Sequence, residues 1–215
     1  MNEIELLNWA RGPGLAYATI FMVFGLTLRI FEILSLGRPK ELAEVRESGV
    51  KEGWKTIIKR SIPEPRHWKL ITASYIFHVG LLIVIFFFIP HTQLFRDVFG
   101  IFWGGWPSYI IDFFTVLSIA AMLYTLVARF YDPTRRILSK MSDYFAWVVT
   151  FLPLVTGYMA FHRLGMDYTT MLAVHILSVE LLMISLPISK LTHAITFSMA
   201  RYYTGSNNGR KGIHS

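Results

Sequence analysis

The seven histidines are the side chains of this 215-residue sequence whose type and spacing point most directly to chemistry. His175 and His193 bracket an apolar run, HILSVELLMISLPISKLTH, the second imidazole eighteen positions after the first. On a regular α-helix that is ~27 Å of rise and five whole turns, so both rings leave one face. Neutral imidazole is a good ligand for haem iron, and a helical bundle can hold a haem edge-on between two helices that each give one nitrogen. Uncharged ligands also suit a bilayer interior, where a fixed charge is costly. Two histidines at opposite ends of a membrane-length helix therefore suggest two haems stacked across a bilayer. The plain alternative is that both sit at the membrane interface for solubility.

The partners would come from an apolar segment that holds His78 in YIFHVGLL and His91 in FFFIPHTQLF. If this segment and the one carrying His175 run antiparallel, the cross-helix pairs are His78–His193 and His91–His175. One difficulty is angular. Thirteen residues of ideal helix turn ~220°, so His78 and His91 would not share a face without distortion. Pro90 removes a backbone donor and can kink or end the helix there, which would swing His91 round. Two rivals stay open: His162, in GYMAFHRLG, lies at the depth of His91, and His67 precedes His78 by eleven residues, allowing a shifted pairing His67–His193 with His78–His175. His67 also reads as an interfacial residue beside Arg66 and Lys69, and His214 lies in the tail.

The elements that must position these rings are legible as five apolar spans, at about 14–36, 70–89, 109–130, 144–161 and 168–191. Each is long enough to cross ~30 Å of hydrocarbon as a helix. With 53% hydrophobic and 15% aromatic residues and a mean hydropathy of +0.45, disorder is excluded. The expected fold is all-α, an integral membrane bundle of five transmembrane helices in one domain, 1–215. The absence of cysteine removes Cys-ligated iron–sulfur clusters, thioether-attached haem and disulfides within this polypeptide. The N-terminus, MNEIELLNWARGPG, is acidic before it is basic and does not read as a signal peptide, so the first helix is expected to be retained.

The net charge of +7 does not read as a nucleic-acid footprint, because it is placed by topology. Arg38, Lys40, Arg46, Lys51, Lys55, Lys59, Arg60 and Arg66 lie between spans one and two. Arg135, Arg136 and Lys140 lie between three and four, and Arg201, Arg210 and Lys211 in the tail. The other two loops carry only Arg96 and Arg163. The positive-inside rule then puts the N-terminus outside and the C-terminus in the cytoplasm. The cytoplasmic loop 37–66 carries Val45, Val50, Trp54, Ile57 and Ile58 amid charge, the pattern of a helix lying on the interface or of a docking surface for a partner. Trp103, Trp106 and Tyr109 read as an outer aromatic belt.

Glu180, midway along span five, is expensive there unless paired, protonated or next to water. It reads either as part of a proton path or as a protonated acid hydrogen-bonded inside the bundle. Arg29 and Lys190 fall where haem propionates would need a cation, although Lys190 can equally snorkel to headgroups; Asp112, near the outer surface, needs no role. No Ser-His-Asp set, carboxylate pair or glycine-rich phosphate loop occurs in a credible context.

The FHVG around His78 and the His175…LPISKLTH spacing resemble the γ subunit of respiratory nitrate reductase, a five-helix dihaem b-type cytochrome. The fuller set, IPH, LPLVTGYMAFH and LPISKLTH, looks more like the shorter membrane cytochromes of heterodisulfide-reductase-like and sulfite-reduction-associated complexes. The likeness covers roughly residues 14–200. It implies that His78 and His193 ligate the haem b nearest a cytoplasmic partner and that His175 ligates a distal haem. The nitrate reductase γ subunit places its second span-two histidine ten residues after the first, where this chain has Phe88. The distal haem would then use His91 or His162, or be absent. The resemblance further implies a subunit of the prokaryotic cytoplasmic (inner) membrane, not catalytic alone. Such a subunit exchanges electrons between menaquinone or another quinone and a cytoplasmic iron–sulfur subunit. The contrasting expectation is a cofactor-free transporter or passive anchor with Glu180, Arg29 and the histidines along a polar path. Transporters more often show internal repeats and broken helices.

Overall fold

The computed structural model describes residues 2–37, 49–62 and 68–213. Among the described residues the α-helices are α1 (Glu3–Trp9), α2 (Leu15–Ser35), α3 (Val50–Lys59), α4 (Trp68–Phe87), α5 (Ile89–Phe99), α6 (Ser108–Tyr131), α7 (Pro133–Leu138), α8 (Met141–Phe161), α9 (Tyr168–Ile188) and α10 (His193–Arg210), and there is no strand. Five helical stretches are long and apolar enough to cross a membrane: Glu3–Ser35, Trp68–Phe87, Ser108–Tyr131, Met141–Phe161 and Tyr168–Ile188. Large apolar side chains cover their outer surfaces, including Tyr17, Ile20, Phe24, Phe31, Val79, Leu82, Phe113 and Val127. Water would not tolerate so wide an apolar surface; a lipid-facing helix requires it.

The first span begins eleven residues earlier than the hydropathy suggested. Asn2 and Glu5 form a capping box at its start, and the chain passes Pro13 in one π-helical turn, Ala10–Gly14, without leaving the helix. The other departure lies at the far end of the fifth span. The single regular helix expected from His175 to His193 is interrupted: α9 stops at Ile188, one residue past Pro187. Ser189 is extended, Lys190–Thr192 form a 3₁₀ turn, and His193 is the first residue of α10. Proline lacks the amide proton for the Met183 carbonyl and its ring crowds that carbonyl, which ends the helix. The five-turn argument for rings on one face therefore does not apply.

The chain packs as two compact units, Met1–Ala16 with His67–Leu182, and Tyr17–Arg66 with Met183–Ser215. In the first, α4 lies closely along α6 at Gly80. A Cβ there would meet the Ser118 hydroxyl and come within 3.1 Å of the Phe114 carbonyl. Ser118 is fully buried and donates its hydroxyl to that same carbonyl at 2.7 Å. Thr115, Thr150 and Thr156 likewise donate to carbonyls of their own helices. Small residues and self-satisfied hydroxyls are the means by which apolar helices approach closely without a hydrophobic driving force between them.

In the second unit, α3 shows that part of the 37–66 loop is helical. Val45 of that loop lies outside the described residues, as do Arg38, Lys40, Arg46, Arg66, His67 and His214. The helix packs by its small and polar side: Gly53 against Tyr202, Glu52 and Thr56 against Gly205, and Glu52 against Gly209 of α10. Val50, Trp54 and Ile58 are exposed. The tail is thus a helix through Arg210, held against α3. Arg29, expected where a propionate would need a cation, has partners within this unit. It pairs with Glu32 at 2.8 Å and donates Nε to the Pro187 carbonyl at 3.1 Å, beside the point where Gly25 accepts the Pro187 ring.

Gly80→Leu, which forces α4 from α6, is expected to destabilise the protein by about 1–3 kcal/mol. Lipid-facing Val79→Leu should stay within about 0.5 kcal/mol. Unfolding in detergent micelles compares the two.

Candidate functional site

The site is built on a defect. At the end of α4 the chain leaves the helix for one residue, Phe88 (φ −73, ψ 126), and restarts as α5 with Pro90 in its first turn. Pro90 has no amide proton, so the Phe86 carbonyl loses its helical donor. The His91 amide turns to Phe88 at 2.9 Å, so the Phe87 carbonyl loses its donor too. In hydrocarbon such groups must find partners inside the protein. The loop after α5 supplies both. Gly100 (φ +70) adopts a left-handed conformation and turns the chain back. The Trp103 indole then donates to the Phe86 carbonyl, and the Trp106 amide donates to Phe87 at 2.8 Å. Trp106 stacks on Phe87 at 4.5 Å, and Gly105 lies against Ile89 where a side chain would clash. The tryptophans that sequence reading assigned to an interfacial belt close the helix break. Their signal was available: two indoles in a Gly-Gly-Pro loop, thirteen and sixteen residues after a proline.

The break re-aims His91. Its Nδ1 bonds the Val84 carbonyl, seven residues back, at 2.9 Å, and the ring stands edge-on to Phe88. So placed, it faces His175 on α9, with ring centroids 6.3 Å apart and planes 17° from parallel. The His175 ring lies against Gly157 of α8, where a Cβ would come within 2.9 Å of it. Its Nδ1 is 3.3 Å from Thr156 Oγ1, whose own proton goes to the Leu152 carbonyl at 2.7 Å. Ser178 Oγ is 3.0 Å from Thr156 Oγ1. Gly157 and Thr156 were absent from the sequence reading, although both lie in the LPLVTGYMAFH segment. Ahead of α9, Asp167 accepts from the Thr170 amide at 2.9 Å. That bond first, then the Thr170 hydroxyl, holds its carboxyl below the usual range.

The tautomers follow from the acceptors. A carbonyl cannot donate, so a ring bonded to one through Nδ1 carries its proton there and its lone pair on Nε2. His91 meets this condition. His78 does as well, with Nδ1 on the Ser74 carbonyl at 2.7 Å, and so does His193, with Nδ1 on the Lys190 carbonyl at 2.9 Å. His78, His91 and His193 therefore carry the ring proton on Nδ1, the kind of outer hydrogen bond that orients metal-binding imidazoles. At His175 the Nδ1 neighbour is the Thr156 hydroxyl, which also bonds the Leu152 carbonyl. His162 differs: its Nε2 lies 3.1 Å from Asp112 Oδ1. His91 and His175 are brought together within the first unit. His78 belongs to the first unit and His193 to the second, and each is exposed.

The His91–His175 geometry fits one metal between two imidazoles. A bond of about 2 Å plus about 1 Å from nitrogen to ring centre, taken twice, separates the centroids by about 6 Å. Offset aromatic packing covers this distance as well; engagement of both rings through Nδ1 is what favours ligation. Among the described residues no cluster of three or more His, Cys, Asp or Glu side chains forms, so a metal held by these side chains alone has no cage. A porphyrin supplies four nitrogens itself and needs only the axial pair.

Glu180, also on α9, is 6% exposed. Its Oε1 lacks a hydrogen-bond partner and sits at the π-helical turn, where a Cβ on Gly14 would come within 2.7 Å of it.

A protein of Nitratidesulfovibrio vulgaris (strain Hildenborough), described only as a protein, is similar to this chain: 34% identical over 133 residues, 62% of this chain and 58% of that one. The chain thus spans less than two thirds of that relative's length. No family model matches the chain, and no solved structure matches it.

Trp103→Phe keeps the ring and removes the indole donor. It is expected to cost about 1–3 kcal/mol locally by leaving the Phe86 carbonyl unpaired, read as faster amide exchange across residues 84–92. Trp106→Phe retains its backbone donor and should leave that exchange close to wild type.

Proposed function

We propose that this chain is a b-type membrane cytochrome, the subunit of a larger redox complex that carries electrons between the quinone pool of a prokaryotic cytoplasmic membrane and a cytoplasmic iron–sulfur partner. The observation that supports it is the buried His91–His175 pair, with near-parallel rings at a separation suited to one iron and both Nδ1 atoms occupied. When bound, haem b supplies reversible one-electron transfer at a potential set by its axial ligands. The chain's own part is to hold two neutral imidazoles at fixed tautomer and distance inside apolar surroundings. The Val84 carbonyl orients His91, Thr156 orients His175, and Gly157 gives the His175 ring its room.

A second haem on His78 and His193 rests on the sequence and on the family resemblance. So do the quinone, menaquinone or another, and the iron–sulfur partner. Cysteine-free and compact, the chain has no relay of its own beyond haem, and it would act only with a soluble redox subunit. The basic residues of the 37–66 loop and of α10 are the surface proposed for that contact.

Purified full-length protein should be red, with a dithionite-reduced b-type α-band and two haems per chain by pyridine haemochrome. His91→Ala and His175→Ala should each remove one haem, as should His78→Ala and His193→Ala, whereas His162→Gln should remove none. His175→Met should keep the haem and raise its potential, as Met/His ligation does, which separates lost ligation from misfolding. An unchanged haem count and potential in the His175 variants contradicts the distal assignment. A colourless protein that does not take up haemin favours the cofactor-free transporter or anchor.

A further inference from the structure

An amphipathic helix in a water-soluble protein turns its apolar stripe inward. In this chain α3 does the reverse. Glu52, Gly53 and Thr56 occupy about 100° of its surface and pack on α10, where a Cβ on Gly205 would meet the Thr56 hydroxyl and one on Gly209 would come within 2.9 Å of Glu52. Val50, Trp54 and Ile58 follow one another at four-residue spacing and fill another ~80°. They are exposed, Trp54 by 62% and Ile58 by 69%. Lys51, Lys55 and Lys59 fill the ~80° beside that stripe and are exposed as well. Lys55 is tied to buried Glu52 at 3.2 Å. Lys51 and Lys59 have no acidic partner among the described residues.

The helix cannot roll to hide its stripe. Gly49 opens it with a left-handed residue (φ +72) set against the Ser206 carbonyl, and a Cβ on Gly53 would come within 2.7 Å of the Tyr202 ring. Just past its end, Arg201 donates to the Ser61 hydroxyl. Rotation about the axis would drive larger side chains into these gaps. The flank of the stripe indicates what covers it. Protein interfaces are poor in lysine. At a bilayer surface, lysine stems lie along apolar surroundings while their ammonium groups reach phosphate, and tryptophan settles at headgroup level. Residues 60–67 alone join α3 to the span Trp68–Phe87, a reach of at most about 30 Å.

We propose that α3 lies on the membrane surface and binds anionic phospholipid. Val50, Trp54 and Ile58 sit among the upper acyl carbons, and Lys51 and Lys59, about 12 Å apart along the helix, hold headgroup phosphates. An anionic headgroup such as phosphatidylglycerol is favoured because its net charge is not cancelled by an amine of its own, and each basic side chain near such a surface adds to the attraction. The α10 side of the helix serves as the platform that keeps the stripe turned outward. Lys51 and Lys59 then face lipid, and a soluble redox subunit meets the rest of the basic surface. None of this depends on haem.

The chain has no cysteine, so Ile58→Cys in the full-length protein gives one site for an environment-sensitive fluorophore. In nanodiscs rich in phosphatidylglycerol, the label should be shielded from aqueous iodide and quenched by lipid carrying a headgroup nitroxide. Competition between nitroxide-labelled phosphatidylglycerol and phosphatidylcholine reads the preference of the site. Lys51→Gln with Lys59→Gln should lower that preference about twenty-five-fold, fivefold per lysine. Lys51→Arg with Lys59→Arg should keep it, which separates lost charge from a disturbed helix. A label open to iodide in every lipid composition overturns the proposal, as does a preference that the glutamine variant leaves unchanged. Shielding in lipid-free micelles that grows with protein concentration makes the occupant a second copy, and shielding that appears only with added cytosolic extract makes it a soluble protein; either result overturns the lipid assignment. The haem count is read separately, so failure here leaves the cytochrome reading standing.

Discussion

The α4–α5 break rests on one constraint: a backbone carbonyl in hydrocarbon must find a donor within the protein, at a cost of several kcal/mol if it does not. Pro90 withdraws one donor and the turn of the His91 amide withdraws another. Phe86 and Phe87 are rescued by Trp103 and Trp106, and Val84 takes the His91 ring in addition to the Phe88 amide. The imidazole is thus part of the repair. Its orientation is fixed by the same accounting that keeps the break intact, so the ring is held before any ligand arrives. A site held this way is built on an interruption of regular structure, yet it has the rigidity that ligation requires.

The neighbouring helices contribute by what they lack. Gly157 gives up a side chain where the His175 ring lies, and Gly80 does so where α4 meets α6. Hydroxyls fill the remaining spaces and return their protons to their own helices, as Ser118 does to Phe114 and Thr156 to Leu152. Thr156 has a double role, since an oxygen whose proton is committed to Leu152 can accept from His175. Packing and tautomer are set by one side chain.

Much of this was legible in the sequence, and the failures have physical causes. Apolar runs near twenty residues locate the five spans because hydrocarbon thickness leaves little choice. The angular conflict between His78 and His91 correctly singled out Pro90, since only a departure from 3.6 residues per turn could bring His91 round. Periodicity failed where proline acts without announcing its outcome. Pro13 is absorbed in a π-turn, Pro153 is carried inside α8, and Pro187 ends α9, so the regular helix from His175 to His193 was an idealisation. The role of Trp103 and Trp106 was hidden because an indole in an interfacial loop has a ready explanation already. Gly157 left no trace in hydropathy, and its partner is eighteen residues away on another helix.

Imidazole has two nitrogens, and the use of one decides the use of the other. At His91 and His175 the nitrogen engaged is Nδ1, by Val84 of α4 and by Thr156 of α8. At His162 the partner is a carboxylate and the nitrogen engaged is Nε2. The three rings stand at one end of the same unit in similar apolar surroundings, so depth and hydropathy cannot tell them apart. Their partners can: a backbone carbonyl for His91, the Thr156 hydroxyl for His175 and a carboxylate for His162.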